Sequence, residues 1–176
     1  NLNFKIIINS RINMKKIIFT FLLAIVCFYA QATKIKIYYF LATTCPISQK
    51  YTQEINRLQK VYASKDMEMI LVFPTVKSNK KDIQAFYATY QITMPYIMDR
   101  NFVLTKQLNA KITPEVFVVN ENREILYHGA IDNWFYALGK NRMHITEHYL
   151  EDAIKSILNK EQIVKEYVAA IGCFIK

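Results

Sequence analysis

Phe40-Leu41-Ala42-Thr43-Thr44-Cys45-Pro46-Ile47-Ser48 is the stretch where the hydrophobic period of this chain changes, and the fold is read outward from it. Before it, Lys34-Ile35-Lys36-Ile37-Tyr38-Tyr39-Phe40-Leu41 alternates and then turns wholly apolar, the pattern of a strand running into a buried sheet. After it, Ile47, Tyr51, Ile55, Leu58 and Val61-Tyr62 recur at helical spacing, and Pro46 stands where a first helical turn tolerates proline. A helix is therefore expected to begin at the cysteine. Met69-Ile70-Leu71-Val72-Phe73, closed by Pro74, reads as a second strand buried on both faces and parallel to the first.

Further along, Ile83, Phe86, Tyr87 and Tyr90 give one apolar face to a helix over 80–90, and Met94 to Met98 reads as a brief extended piece. Phe102, Val103 and Leu108 suit a short helix. Glu115 to Val119 and Glu124 to Tyr127 flank the polar Asn120-Glu121-Asn122-Arg123, which predicts an antiparallel hairpin with a four-residue connection. A last helix is expected with Thr146 as cap and Leu150, Ala153, Ile154, Ile157 and Leu158 on its buried stripe. An extended tail over 161–176 carries Cys173. The domain proper is placed at 33–160.

The 176 residues, 52% hydrophobic and 21% charged, match one globular domain. The formal charge is +9, but Lys5, Arg11, Lys15 and Lys16 precede residue 33 and no acid does. From Thr33 onward 19 basic residues stand against 14 acidic ones, scattered, with Lys80-Lys81 the one adjacent basic pair. No basic helix face or arginine cluster supports nucleic-acid binding. Met14-Lys15-Lys16, the 13-residue apolar run Ile17 to Tyr29, and Ala30-Gln31-Ala32 have the layout of a secretory signal over 14–32, behind a leader at 1–13. The run is short of the roughly 20 residues a membrane span needs, so membrane contact is expected only through this segment. Cys27 follows Val26, which argues against lipidation. Export to a periplasmic or secreted location would place Cys45 and Cys173 in an oxidising compartment.

Strand, cysteine at a helix start, helix, strand, a later Thr113-Pro114 opening a hairpin, and a closing helix together resemble the thioredoxin-like superfamily in its redoxin-domain branch. Phe40 to Ser48, Thr113 to Val119 with Tyr127-His128-Gly129-Ala130-Ile131-Asp132-Asn133, and Gly172 to Lys176 carry the likeness. It implies an α/β fold, a central mixed sheet flanked by helices with an extended C-terminal tail. It also implies a reactive thiol at Cys45, whose thiolate the N-terminus of a helix favours. The proline matching Pro114 is cis in that family, leaving the backbone of the preceding residue, here Thr113, to pair with an extended substrate. A trans Pro114 at a strand start is the plainer alternative.

Departures from the family narrow the chemistry. Ser48 replaces the second cysteine of Cys-x-x-Cys, so it can hydrogen-bond a thiolate but cannot resolve a mixed disulfide. Cys173 is then the internal candidate for resolving thiol or disulfide partner. The open alternatives are a redox-active pair, two free thiols, or a structural bridge worth about 4 kcal/mol in the entropic account. Tyr39 stands where thioredoxins keep a buried carboxylate; Glu115 is a substitute if it faces Cys45, although exposure is the commoner fate of such a strand residue. Ala42 and Tyr38 replace the hydroxyl and the proline of the peroxiredoxin motif, which disfavours a thiol peroxidase. His128, His144 and His148 lack a completing motif, so no metal site is read. No cofactor is required, and Asp132 is expected to organise a turn. The function expected is thiol-disulfide exchange with protein thiols or disulfides and an unidentified reductant or oxidant. A redox-inert binding module is the alternative.

Overall fold

Residues 34–64, 66–75 and 79–176 are described by the computed structural model, and the leader and signal expected over 1–32 lie outside them. Strand β1 (Ile35–Phe40), helix α1 (Pro46–Tyr62) and strand β2 (Met67–Phe73) form the expected unit, with β1 and β2 parallel from Ile35 opposite Met67 to Phe40 opposite Val72. Helix α2 (Lys80–Tyr90) leads to β3 (Tyr96–Met98), parallel to β2, and α3 (Val103–Leu108) leads to β4 (Ile112–Thr113). The hairpin is β5 (Glu115–Val119) and β6 (Ile125–Gly129). A small ribbon, β7 (Phe135–Ala137) and β8 (Lys140–Asn141), precedes α4 (Tyr149–Asn159), and the tail holds β9 (Tyr167–Val168) and β10 (Cys173–Phe174). The sheet order is β3-β2-β1-β5-β6-β9, mixed as expected, with β10 paired to β4 as a separate ladder.

The alternation of the strands sorts their side chains onto two faces. Ile35, Ile37 and Tyr39 of β1, Leu71 and Phe73 of β2, and Val116 and Val118 of β5 join Tyr51, Ile55 and Leu58 of α1 and Leu150 and Ile154 of α4 in one core. Phe40, Val72, Phe117 and Val119 point the other way and pack with Leu108. With neighbours on both faces, the central strands need the continuous apolar runs seen in the sequence.

Helix termini carry the largest departures from the sequence reading. Thr146 is not the cap of α4: its hydroxyl accepts from Asn133 Nδ2 at 2.7 Å, and His148 takes the cap position without a side-chain bond. Leu158 is 56% exposed instead of lying on the buried stripe, because α4 ends one residue later with Lys160 in the left-handed region. Two caps invisible to a hydrophobic pattern are present. Asn79 and Asp82 form a capping box on α2, and the carboxylate of Asp99 accepts from the N–H groups of Val103 and Thr105, starting α3.

Candidate active site

Three pieces of chain distant in sequence meet at Cys45. The first is the β1–α1 junction. Cys45 is the N-cap of α1, one position earlier than a first-turn residue, and Pro46 follows as the first helical residue. The unpaired N–H groups of that turn therefore face the sulfur. Ser48 is fully buried and its Oγ accepts from Ala42 N–H at 3.3 Å, tying the loop before the cysteine to the helix after it.

The second piece is the Thr113-Pro114 bond, which is cis. Thr113 O accepts from Cys45 Sγ at 3.2 Å. Glu115 neither faces Cys45 nor lies exposed, correcting both readings of it. It is buried, and its carboxylate accepts from Lys111 N–H at 2.9 Å and Ile112 N–H at 3.3 Å, so it shapes the loop that delivers Thr113.

The third piece is the tail. Strand β9 lies along the sheet edge, parallel to β6, with Ala130 N–H donating to Val168 O at 2.9 Å. The chain then crosses to β4, where β10 runs antiparallel, Cys173 opposite Thr113 and Phe174 opposite Ile112. Thr113 Oγ1 donates to Cys173 O at 3.3 Å, and Ile175 N–H donates to Lys111 O at 2.9 Å. The backbone of Thr113, expected to stand free for a substrate, is thus occupied by the protein's own C-terminal strand. The sequence could place Cys173 on a tail but not in this register, since a two-residue ladder leaves no periodic trace.

Cys45 and Cys173 are both free thiols, brought to one cleft by the pairing of Cys173 with Thr113. Their electrostatics are opposed. Burial pushes the Cys45 thiol up, but hydrogen bonds from the Cys173 thiol, from the Ser48 N–H and hydroxyl, and from the Ile47 N–H outweigh it. The net result holds Cys45 below the ordinary thiol value. Burial, the bond to Cys45 and the charge of Cys45 together push Cys173 up to about 11. The pair shares one proton more readily than it loses two, with the negative charge on Cys45. Ionised Cys45 has no S–H to donate to Thr113 O and acts only as an acceptor, the form that the Cys173 S–H favours.

A cleft of about 190 Å³ opens on both sulfurs, lined also by Ala42, Thr44, Pro74 and Thr113. That is below the roughly 300–1,000 Å³ of small-molecule pockets and nearer the size of a single side chain. A larger cleft of about 410 Å³ lies along α4 between Tyr149 and Ile163 and holds no thiol. Tyr39 fills the place of the missing carboxylate, fully buried with its hydroxyl 3.7 Å from Met69 Sδ, and burial pushes its pKa far up. It supplies no base.

Two polar groupings lie outside this site. Asp132 organises a turn, as its Oδ1 accepts from Trp134 N–H at 2.8 Å, but it also accepts from Tyr51 OH at 2.5 Å inside the core. Burial raises both members of that pair. Glu54, His148 and Glu151 bring their ligand atoms within 4.8 Å of one another. Arg57 already bridges the two carboxylates, paired through two nitrogens with Glu54 at 2.7 and 2.8 Å and through Nη2 with Glu151, so the grouping is an ion-pair network. Its members are nearly a hundred residues apart, which hid it from a reading of local motifs.

Cysteine at a helix N-terminus, a cis-proline beside it and a six-stranded mixed sheet flanked by helices behind it define a thioredoxin-fold protein. Within that class the chain belongs to the Redoxin family, whose model matches residues 28–133. It is 27% identical over 82 residues to the thioredoxin-like protein YneN of Bacillus subtilis (strain 168), covering 47% of this chain and 48% of that protein. The chain thus spans about half the length of the curated relative it matches. Among solved structures it resembles an uncharacterized conserved protein from Geobacillus kaustophilus, with a TM-score of 0.73 at 18% identity over 82% of this chain and 78% of that one. It also resembles a hypothetical protein from Sinorhizobium meliloti 1021, with a TM-score of 0.71 at 21% identity over 82% and 80%. These two likenesses are of fold.

Proposed function

We propose that this chain is an exported thiol-disulfide oxidoreductase in which Cys45 is the nucleophile and Cys173 the resolving thiol. The observation that carries the reading is that the register of β10 on β4 brings two free thiols to one cleft, with pKa values displaced in opposite directions. The Cys45 thiolate attacks one sulfur of a substrate disulfide, forming a mixed disulfide and expelling the other substrate sulfur as a thiolate. Ionised Cys45 is then gone, and with it part of what held the proton on Cys173. Cys173 loses that proton, attacks Cys45 Sγ, forms the intrachain disulfide and releases the remaining substrate sulfur. The substrate gains two electrons and the cysteine pair loses two. A dithiol donor returns them; in the opposite direction the same pair oxidises a substrate dithiol.

Ser48 keeps the loop around Cys45 and donates to its thiolate; it takes no part in the covalent steps. Thr113 and Pro114 present the backbone edge on which a partner segment docks. Ala42 and Tyr38 at the peroxiredoxin positions count against peroxide as substrate. The partners are protein thiols and disulfides, and export rests on the sequence of 14–32.

The test is single-turnover reaction of the Cys173→Ser protein with a disulfide substrate. A mixed disulfide on Cys45 should accumulate, while the unaltered protein passes on to an intrachain bridge and Cys45→Ser reacts with neither. A Cys45–Cys173 bridge that stays intact below about −300 mV against glutathione would instead support a structural bridge in a binding module.

A further inference from the structure

Thr113 has one backbone edge facing Cys45, and β10 sits on it. The close approach there has a chemical requirement. Gly172 packs so tightly on β4 that a Cβ built on it would lie 2.2 Å from Thr113 O and 2.7 Å from Thr113 C. Those are backbone atoms at a carbonyl already engaged by Cys45 Sγ, so they cannot swing aside as a side-chain end could. On the other flank of Cys173, Phe174 is 71% exposed and makes no such demand. Cys45 itself is 2% exposed with the tail in place, so an incoming disulfide and β10 compete for one position.

We propose that the Ile112–Thr113 edge is a strand-exchange site for an extended polypeptide in which a glycine directly precedes the reacting cysteine. Gly172-Cys173-Phe174 is its resident occupant. The inference rests on the exchange reading above and adds the substrate's local chemistry. A substrate strand enters antiparallel to β4 in the register of β10, with its cysteine opposite Thr113 and its preceding residue against the Thr113 carbonyl. A side chain at that preceding position is refused for the reason Gly172 is a glycine, whereas the following residue is free to vary. Still bonded through its sulfur to Cys45, the substrate strand swings off the slot, and β10 returns to bring Cys173 back onto the mixed disulfide, whose substrate sulfur is then expelled.

The experiment uses the full chain carrying Cys27→Ser and Cys173→Ser, which leaves Cys45 as its one thiol, and two synthetic peptides, each with its single cysteine activated as a thionitrobenzoate disulfide, differing only in Gly or Val before that cysteine. Cys45 bonds to the peptide sulfur, and thionitrobenzoate leaves with the bonding electrons and is read by absorbance. The Gly peptide should react at least about tenfold faster than the Val peptide, with iodoacetamide as the reference that needs no strand slot. Adding Gly172→Ala should displace β10 and raise the iodoacetamide rate at Cys45 at least about tenfold. Equal peptide rates, or a Val peptide that is faster, overturn the inference while leaving exchange chemistry intact. An unchanged iodoacetamide rate in a folded Gly172→Ala protein overturns it as well. Failure of Cys45 to react with either peptide, with iodoacetamide still consumed, overturns the exchange reading itself.

Discussion

Cys45 and Cys173 open on one cleft, yet the two regions that hold them are built differently. Cys45 sits where a six-residue central strand meets a 17-residue helix, with Ile47, Tyr51, Ile55 and Leu58 buried immediately behind it. Cys173 sits on a tail attached through two ladders of two residues each. The stability of a region follows the apolar contacts and hydrogen bonds that must break to open it. Moving Cys45 means unfolding the core, whereas moving Cys173 means breaking a few bonds at Thr113, Lys111 and Ala130. The contrast teaches a division of labour. The low-pKa sulfur is fixed and the high-pKa sulfur is the one that can leave and return.

The sharpest way to break this comparison is to detach the tail at its outer anchor. Gly129 has φ of +118°, and a Cβ there would lie 1.8 Å from Val168 O, so Gly129→Ala should strip β9 from the sheet edge. Urea unfolding should register a loss of about 1–3 kcal/mol, and alkylation of Cys45 should accelerate because β10 loses its approach path. A protein that loses stability but keeps Cys45 shielded would mean that β10 holds by itself.

A second effect concerns the proton shared by the sulfurs. Cys45 titrates below an ordinary thiol partly because Cys173 donates to it, so the alkylation–pH midpoint of the unaltered protein should lie below that of an ordinary cysteine. Cys173→Ala removes that donor and should move the midpoint up. For stability the signs differ. The lowered Cys45 contributes stability above its unfolded pKa, lost as pH falls through the folded value. The raised Cys173 contributes below its unfolded pKa, lost as pH climbs toward about 11. A midpoint that does not move would show that the helix terminus alone sets the Cys45 pKa.

The smallest effect lies far from the thiols and tests the rigid side of the comparison. Glu151 is partly desolvated, which raises it, but Tyr62, Arg57 and Lys155 together bring its carboxyl down to about 2. Its contribution is present above the unfolded value near 4.5 and fades as pH falls toward 2, a window in which Glu151→Gln should flatten the acid-unfolding curve. With Arg57 half in solvent, the loss at neutral pH should be about 1 kcal/mol or less. A markedly greater loss would mean that α1 and α4 are clamped by this network more than by Leu150 and Ile154.

Much of the rigid side was readable beforehand because its elements repeat. Five turns of α1 and the apolar strands β1, β2 and β5 impose periods of 3.6 and 2 that survive in the chain as a pattern. Asp99 capping α3, Glu115 bracing the loop before Thr113, and Arg57 between Glu54 and Glu151 left no such pattern, each being a single side chain meeting a partner set by the fold. The placement of Thr146 outside the α4 cap has the same origin. Asn133, thirteen residues earlier, claims its hydroxyl.

Local chemistry alone determined that Cys45 stands at a helix start, that Ser48 cannot resolve a disulfide, and that Cys173 is the remaining thiol of the described chain. Those are statements about residue type and spacing. Only the tertiary structure decided that Cys173 lies against Cys45, that Thr113 is already paired, and that Gly172 must be a glycine. Each depends on the register of a two-residue ladder between segments sixty residues apart, and a contact that short is selected by the shape of the folded core, not by any period along the chain.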